Sequence, residues 1–269
     1  MRFFKKKLKN SFLSNFIKKP NVLMRGIQVE MQAQHAGTVL GLAWIVIGPF
    51  ILLTLYAIIY SLIFKLRTTG LTLPEYILNM FSGLVLFVAF SQGLSSGSSS
   101  LNKNQKLIFS NFPTEFIPSQ SVAVAYTVLI PSTIFVIIGD LLISKPSFHL
   151  LFVPLIAFLQ FMFSLGIGFL LALVGLVIKD IEFIIQYITT ALIVVTPIAY
   201  TPEMIPNQLV PLLGLNPLYY FVTGSQYLIV LNKFPPLTFS IITIMISIIS
   251  FLGGLWIFSR ARMAMMDLV

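Results

Sequence analysis

The amino-acid sequence predicts an all-α protein that crosses a membrane several times. Of its 269 residues, 57% are hydrophobic and only 9% are charged, and the mean hydropathy is +0.96, far from the balance of a soluble domain. Apolar stretches long enough to cross a bilayer, which takes about 20 residues, recur along the chain. Because lipid offers no partner for backbone polar groups, such stretches must form helices. We therefore predict six transmembrane helices in a single domain over residues 1–269.

Short polar breaks separate the six predicted spans. No Asp, Glu, Lys or Arg occurs from Met31 to Phe64, and Lys65 and Arg67 follow directly. The break that begins at Lys179 is so short that the fourth and fifth helices must be antiparallel neighbours. The second span ends in small residues, which indicates a helix end where neighbouring helices approach closely. The predicted spans cover residues 38–64, 76–100, 116–143, 148–178, 183–200 and 236–258.

Six spans place both termini on one side of the membrane, and the basic residues indicate which side. Thirteen of the seventeen Lys and Arg residues fall on the side of the termini. The four on the other side are Lys65, Arg67, Lys145 and Lys233. Because cytoplasmic loops are rich in Lys and Arg, we predict cytoplasmic termini and a multi-pass protein of the plasma membrane, which in bacteria is the inner membrane.

The first 36 residues are basic and amphipathic. Eight of the basic residues lie within the first 25 positions, and apolar residues recur there at helical spacing. In a soluble protein such an arm would suggest nucleic acid, but in front of membrane spans it favours contact with anionic lipid. We predict an interfacial helix on the inner leaflet and no nucleic-acid partner.

Several classes of chemistry have no candidate residues in this sequence. It contains no cysteine, its two histidines lie far apart, and it has no G-x-x-x-x-G-K-[ST] motif for nucleotide binding. No charged residue falls near the middle of a predicted span, which disfavours an ion-coupled carrier. Asp140 lies near an outer helix end, where we expect a solvated charge rather than a proton relay. We therefore predict no catalytic residue, no metal and no cofactor in this chain.

Power for transport would then come from a partner protein, and the predicted inner loop at residues 102–115 is the natural contact. A short helix with exposed apolar residues can fit into a groove on another protein. The residues that we assign to this docking loop are Lys106, Leu107, Ile108, Phe109, Phe112, Pro113 and Glu115. Lys179 and Asp180 form a second inner turn.

Aromatic residues mark one face of the first predicted span. Tyr56, Tyr60 and Phe64 recur every four residues, and Tyr187 and Tyr200 flank the fifth span. Helix packing and interfacial belts explain such residues well. A channel wall is the alternative, since tyrosine combines apolar area with a hydroxyl group that suits passing sugar rings.

The stretch from Ala191 to Tyr220 is apolar but broken by five prolines. Proline interrupts a helix, so this stretch cannot form one straight span. Irregular backbone at membrane depth must be covered by protein or face a water-filled cavity. We predict the end of the fifth helix followed by a re-entrant outer segment at residues 201–217, before the last span.

Five motifs resemble those of a known family. They are T-V-L-G-L-A-W at 38–44, F-P-T-E-F-I-P at 112–118, V-I-K-D-I at 177–181, T-P-I-A-Y with M-I-P and L-N-P-L within 196–218, and F-S-R-A-R-M-A-M-M-D-L-V at 258–269. From about Val29 onward, the chain resembles the membrane subunits of type-2 ABC exporters, in particular the permeases that export O-antigen and related lipid-linked polysaccharides. Thr114 and Lys179 stand where arginine is common in that family, and Glu30, Gln34 and His35 replace a more basic segment.

The resemblance implies a homodimer bound to two cytoplasmic P-loop ATPase subunits, which would hold the ATP and magnesium. It also implies a continuous channel for an undecaprenyl-linked glycan, moved from the cytoplasmic to the outer side. The outer segment would then form a gate. The gate residues that the resemblance suggests are Thr196, Pro197, Met204, Pro206, Asn216 and Pro217.

Other functions remain open from the sequence. Within the family, export of teichoic acid or capsular polysaccharide is the second hypothesis, and export of a small molecule is the third. A lipid-modifying membrane enzyme would need a polar cluster, for which Asp140, His149 and Glu203 are the candidates. A secondary carrier is disfavoured by the uncharged spans.

Overall fold

The computed structural model describes residues 15–16, 18–63, 71–110, 112–143, 147–200, 208 and 210–268, and at 61–63, 210 and 262–268 it describes the backbone alone. Regular structure within these residues is helical. The α-helices in chain order are α1 (Pro20–His35), α2 (Trp44–Ala57), α3 (Leu73–Lys103), α4 (Gln105–Ile108), α5 (Phe116–Tyr126), α6 (Leu129–Ile143), α7 (Val153–Val177), α8 (Ile181–Val195), α9 (Val210–Leu213), α10 (Pro217–Ile229) and α11 (Leu237–Leu268). Short 3₁₀ turns precede α2 and α7, and a π-helical turn (Ile58–Ile63) follows α2.

Five helical segments among the described residues are long and apolar enough to cross a membrane. They are Gly41–Tyr60, Leu73–Lys103, Phe116–Ile143, Phe148–Val177 and Leu237–Ala261. These segments match the first, second, third, fourth and sixth predicted spans.

The fifth predicted span is represented by α8, which has only 15 residues. At 1.5 Å per residue it measures about 22 Å, short of the ~30 Å apolar core of a bilayer. The helix ends at Val195, its capping residue Thr196 has an extended ψ of 129°, and Pro197 follows. The residue before a proline is disfavoured in helical conformation, so the sequence itself ends α8 early.

Helix α3 is the centre of the bundle and is buried along most of its length. Its small residues allow neighbouring helices to come close, as the sequence predicts. A Cβ atom on Gly97 would lie 3.2 Å from the Cα atom of Gly168, and one on Gly175 would lie 2.1 Å from the carbonyl oxygen of Ser98. These glycines and serines therefore fix the distance between α3 and α7.

Helices α7 and α11 also meet through small residues. A Cβ atom on Gly254 would lie 2.1 Å from the carbonyl oxygen of Gly166, while one on Gly253 would meet nothing within 4 Å. The Ser250 hydroxyl donates a hydrogen bond of 2.9 Å to the Phe163 carbonyl in the same contact. Backbone-to-backbone approach therefore holds the last helix on the bundle.

Asp140 contradicts the expectation from the sequence, because its side chain in α6 is fully buried instead of solvated. Helix α6 packs closely on α3 at this level, where a Cβ atom on Gly139 would lie 3.0 Å from Leu78. The position of Asp140 near the helix end suggested exposure, but packing against α3 removes it from solvent.

Candidate functional site

A groove of about 910 Å³ lies between α2, α3 and α8, with part of α5 along its side. Polar side chains of two helices line it. From α3, Gln92, Ser95, Ser96 and Lys103 lie on one helical face, because their spacing approximates successive helical turns. The groove residues of α8 are Glu182, Phe183, Gln186 and Thr189, of which the polar three also share one face.

Polar side chains within apolar helices normally face protein or a water-filled cavity. The polar face of α3 is encoded by S-Q-G-L-S-S-G (91–97), a run that sequence reasoning explained only by close helix packing. Its glycines do pack against neighbouring helices, while Gln92, Ser95 and Ser96 line the groove. The spacing of polar residues at three and four positions was the signal that could have revealed this face.

One ion pair lies at the end of the groove next to α4. The Lys103 ammonium nitrogen lies 3.6 Å from Oε1 of Glu182, and it also donates a hydrogen bond of 2.8 Å to the Ser99 hydroxyl. The Ser95 hydroxyl donates to the same Glu182 oxygen at 3.4 Å. Because the two charged side chains are 65% and 44% exposed, the pair contributes little to stability. It links the end of α3 to the start of α8.

Four of the aromatic residues predicted to line a channel are described, and none of these four is among the residues that line this groove. The rings of Tyr56 and Tyr60 stack with their centroids 5.6 Å apart, and both side chains are half-buried. Tyr187 is 78% exposed on α8, and the Tyr200 hydroxyl donates to the Val195 carbonyl at 2.8 Å. Phe64 lies outside the described residues. The aromatic groove residues are instead Trp44 and Phe183.

The predicted docking loop forms α4 and the turn that follows it. Phe109 is 62% exposed, Lys106 is exposed, and Leu107 and Phe112 are half-buried. Ile108 is buried with 1% of its surface exposed, so the expectation of exposed apolar residues fails at this position. Pro113 and Glu115 are also buried. This segment therefore presents one large exposed apolar side chain, that of Phe109.

Residues 15–16 and helix α1 contact α5 and the residue before it, beside this loop. The Asn15 amide donates to Oε1 of the buried Glu115 at 2.7 Å, and the rings of Phe16 and Phe116 meet edge to face at 5.1 Å. The Ser121 hydroxyl donates to Oε1 of Glu30 at 2.6 Å. Burial raises the pKa of Glu30, and this hydrogen bond and the nearby Lys103 ammonium partly oppose the rise.

Lys179 and Asp180 are exposed in the three-residue connection between α7 and α8. The backbone carbonyl of Asp180 accepts hydrogen bonds from the first turn of α8. The Asn102 amide donates to the Gly175 carbonyl at 2.6 Å, which joins the ends of α3 and α7. The second predicted turn and the docking loop therefore lie at the same end of the bundle.

At the opposite end, the irregular segment 196–200 is held by side chains of other helices. The Tyr76 hydroxyl donates to the Ala199 carbonyl at 2.8 Å, and the Asn216 amide donates to the Thr196 hydroxyl at 2.9 Å. Thr196 and Pro197 are buried, so protein covers this broken backbone, as its composition requires. Met204 and Pro206 lie outside the described residues, and Pro217 begins α10.

Asn216 joins two parts of this end, because its Oδ1 also accepts a hydrogen bond of 3.0 Å from the Leu218 backbone amide and caps α10. We expect Asn216→Leu to lower the free energy of unfolding by about 2 kcal/mol, since it removes a cap and a buried hydrogen bond. Asn216→Ser should lose about half as much, because serine caps helices well but is too short to reach Thr196. Thermal unfolding in detergent measures both variants, and equal losses would contradict this division.

Of the three residues considered for a membrane enzyme, the structure describes Asp140 and His149. Asp140 is buried in α6, and the His149 ring packs against Phe148 and Phe234. Glu203 lies outside the described residues. Among the described residues, no group of three His, Asp or Glu side chains could hold a metal ion.

Comparison with known proteins identifies the family. The family model described as "ABC-2 type transporter" matches residues 27–230, about three quarters of the chain. The chain belongs to the ABC-2 type transporter family. The resemblance found in its motifs is thus confirmed.

Relatives within the ABC-2 family include two with the same printed name. The "O-antigen export system permease protein RfbA" of Myxococcus xanthus is 22% identical over 218 residues, which cover 80% of this chain and 82% of that protein. A protein of that name from Klebsiella pneumoniae is 28% identical over 193 residues, covering 70% and 72%. The ABC-2 match includes the groove, α4 and the segment 196–200.

Proposed function

We propose that this chain is the membrane-spanning permease subunit of an ATP-driven exporter that moves a lipid-linked polysaccharide, such as an O-antigen, to the outer side of the membrane. The observation that carries the proposal is the groove lined by neutral hydroxyl and amide groups of α3 and α8. The relatives named as O-antigen export permeases support the same substrate class.

Neutral polar groups suit the passage of a sugar chain. Gln92, Ser95, Ser96, Gln186 and Thr189 can exchange hydrogen bonds with sugar hydroxyls along the groove. Many weak sites in succession allow a polymer to bind and still move, as ions do in selective pores. A groove with strong charges along its length would instead hold or exclude particular ions.

The groove is open on one side, and a second copy of the chain is the cover that we propose. Only 11% of the first span is buried, and its exposed side chains include Ile51 and Leu55. On α8, Ile184 and Ile188 are also exposed beside the groove. Two copies that pair through these apolar helices would enclose two facing grooves in one channel.

Two cytoplasmic ATPase subunits would drive this dimer, binding ATP and magnesium themselves. The exposed Phe109 and the Lys179–Asp180 turn lie at the same end and can contact one such partner together. That end is cytoplasmic in the topology predicted from the basic residues. Movement of α4 would reach the groove through Lys103 and its contact with Glu182.

In a six-span topology, α8 and the segment that follows it together serve as the fifth transmembrane span. In the proposed topology, α8 ends within the membrane, and the chain continues through 196–200. Residues 201–207 and 209 of the predicted re-entrant segment lie outside the described residues. The rings of Phe221 in α10 and Phe163 lie 5.4 Å apart, and Phe163 is near the middle of the span Phe148–Val177. This contact supports α10 as a helix that returns outward from the interior of the membrane.

The proposal is tested by what accumulates when the gene is deleted. We expect a lipid-linked glycan to build up on the cytoplasmic side, and the wild-type gene should clear it only when its ATPase partner is active. Sensitivity to drugs without trapped glycan would indicate a small-molecule exporter. Accumulation of teichoic acid or capsule precursors would support the same export mechanism with a different polymer as substrate.

A pair of neighbouring variants tests the groove itself. Gln186→Trp should reduce export at least about tenfold, because the larger ring narrows the groove and replaces an amide that can bind sugar hydroxyls. Tyr187→Trp is the matched control, since Tyr187 is 78% exposed and does not line the groove. The measurement is surface glycan per cell at equal permease abundance. Full export by Gln186→Trp would contradict this path.

A further inference from the structure

A second cavity, here called the N-terminal cavity, lies between α1, the end of α3, α4 and the start of α5. Its volume is about 690 Å³. Gln34, Ser96 and Lys103 line both this cavity and the groove, so the two spaces adjoin. The proposed export path does not by itself explain why α1 covers a space of this size.

Cationic and neutral hydrogen-bond donors line the N-terminal cavity. Arg25 of α1 and Lys103 of α3 contribute positive charge, and the exposed Lys103 ammonium also contacts Glu182. Gln120 of α5 is only 6% exposed, and its Nε2 donor has no hydrogen-bond acceptor. A buried donor without an acceptor costs free energy, so a ligand that accepts hydrogen bonds would restore that loss.

Gly26 makes room for this amide. A Cβ atom at Gly26 would lie 1.9 Å from Nε2 of Gln120, so no other residue at this position would leave the amide where it is. The Gln120 amide thus packs directly against α1 at Gly26, next to Arg25. A donor without an acceptor beside a guanidinium group favours an oxygen-rich anion as the ligand of this cavity.

The rest of the wall is largely apolar. Val22 and Val29 of α1 face the cavity together with Leu107 and Phe112. Glu30 is the one carboxylate among the lining residues, and its Oε1 already accepts a hydrogen bond from Ser121. A small hydrophilic anion would gain nothing from these apolar side chains, whereas an amphipathic molecule would use both parts of the wall.

We propose that the N-terminal cavity binds the phosphate group of an anionic lipid, with Arg25, Lys103 and Gln120 as its donors and the apolar wall against its chains. Arginine and lysine are the side chains that bind phosphate most strongly in proteins. The lipid has two possible sources, a bulk anionic phospholipid or a polyprenyl phosphate such as the carrier of the proposed export substrate. Only the second source depends on the proposed function.

The test is lipid binding to the purified full-length protein in detergent, measured by native mass spectrometry. The probes are dioleoylphosphatidylglycerol, dioleoylglycerol, which has the same chains without phosphate, and undecaprenyl phosphate. We expect at least one phosphate lipid to bind with about tenfold preference over dioleoylglycerol. Arg25→Gln, Lys103→Gln and Gln120→Leu should each weaken that binding about fivefold to tenfold, as expected for hydrogen bonds to a charged group.

Two kinds of control variant exclude a merely structural role. One should strengthen lipid binding, and the other should leave it unchanged. Glu30→Gln should strengthen binding, because it removes the negative charge from the wall. Lys19→Gln and Lys233→Gln should change nothing, since neither residue lines this cavity. Equal binding of dioleoylglycerol, or equal affinities in all variants, would overturn the proposal.

The two sources give different outcomes. If phosphatidylglycerol binds as well as undecaprenyl phosphate, the cavity holds bulk lipid, and this result stands even if the exported molecule is not a polysaccharide. Selective binding of undecaprenyl phosphate assigns the cavity to the carrier lipid. Trapped glycan in the deletion strain, without any phosphate-lipid binding, would overturn this inference and leave the proposed function in place.

Discussion

Replacing Gly254 by alanine is expected to lower the free energy of unfolding by about 1–3 kcal/mol, the usual cost of overpacking a tight contact. The added Cβ atom would lie 2.1 Å from the Gly166 carbonyl oxygen. Because that atom belongs to backbone, no side-chain rotation can relieve the clash, and α11 must move away from α7. The reciprocal contact has the same character, since a Cβ atom on Gly166 would lie 2.1 Å from the Ser250 carbonyl oxygen.

Gly253→Ala is the matched control for this prediction. The two glycines are adjacent in α11, but a Cβ atom on Gly253 meets nothing within 4 Å. Alanine there should be neutral or should stabilise by up to about 1 kcal/mol, because glycine is a poor helix former. Thermal unfolding in detergent compares the two. Equal loss in both variants would show that the local helix, rather than the contact with α7, determines the effect.

The second large effect is expected at the docking segment. Phe109→Asp should weaken association with the ATPase partner at least about tenfold, as the loss of a central aromatic anchor does in other interfaces. Phe109 is 62% exposed, so the substitution should leave thermal unfolding of the permease alone unchanged. Co-purification of the permease with its ATPase measures the association, and Phe109→Leu should retain most of it.

A substitution at the neighbouring residue distinguishes an effect on ATPase docking from an effect on folding of the permease. Ile108 is 1% exposed, so Ile108→Asp buries a charge and should destabilise the permease itself. We therefore expect Phe109→Asp to give stable protein without its partner and Ile108→Asp to give little folded protein. Undiminished co-purification of Phe109→Asp would rule out this segment as the principal contact.

Sequence reasoning succeeded where a property belongs to one segment of the chain. Apolar length predicted the spans, which five helical segments match. The small residues at the end of the second span indicated close helix contacts, and Gly97 does approach Gly168. The prolines after Ala191 predicted a broken helix, and α8 ends before Pro197. Each of these inferences needs only local sterics or burial in lipid.

Sequence reasoning was insufficient where a property depends on which helix faces pack against each other. Asp140 is near the end of its helix, but α6 packs on α3 and buries it. Ile108 was expected at the surface for the same reason that Phe109 was, and only packing distinguishes them. The polar faces of α3 and α8 line one groove, which sequence reasoning missed, while the channel role of the tyrosines in the first span stays a prediction.

The sequence by itself determined that this protein is a helical membrane protein of the ABC-2 family, because composition, span length and ordered motifs do not depend on tertiary contacts. The tertiary structure alone decided that Ser95 and Glu182 meet in one groove, 87 residues apart in the chain. It also placed α1 over a cavity next to Lys103. Helix spacing shows which side chains share a face, but only non-local packing determines what that face meets.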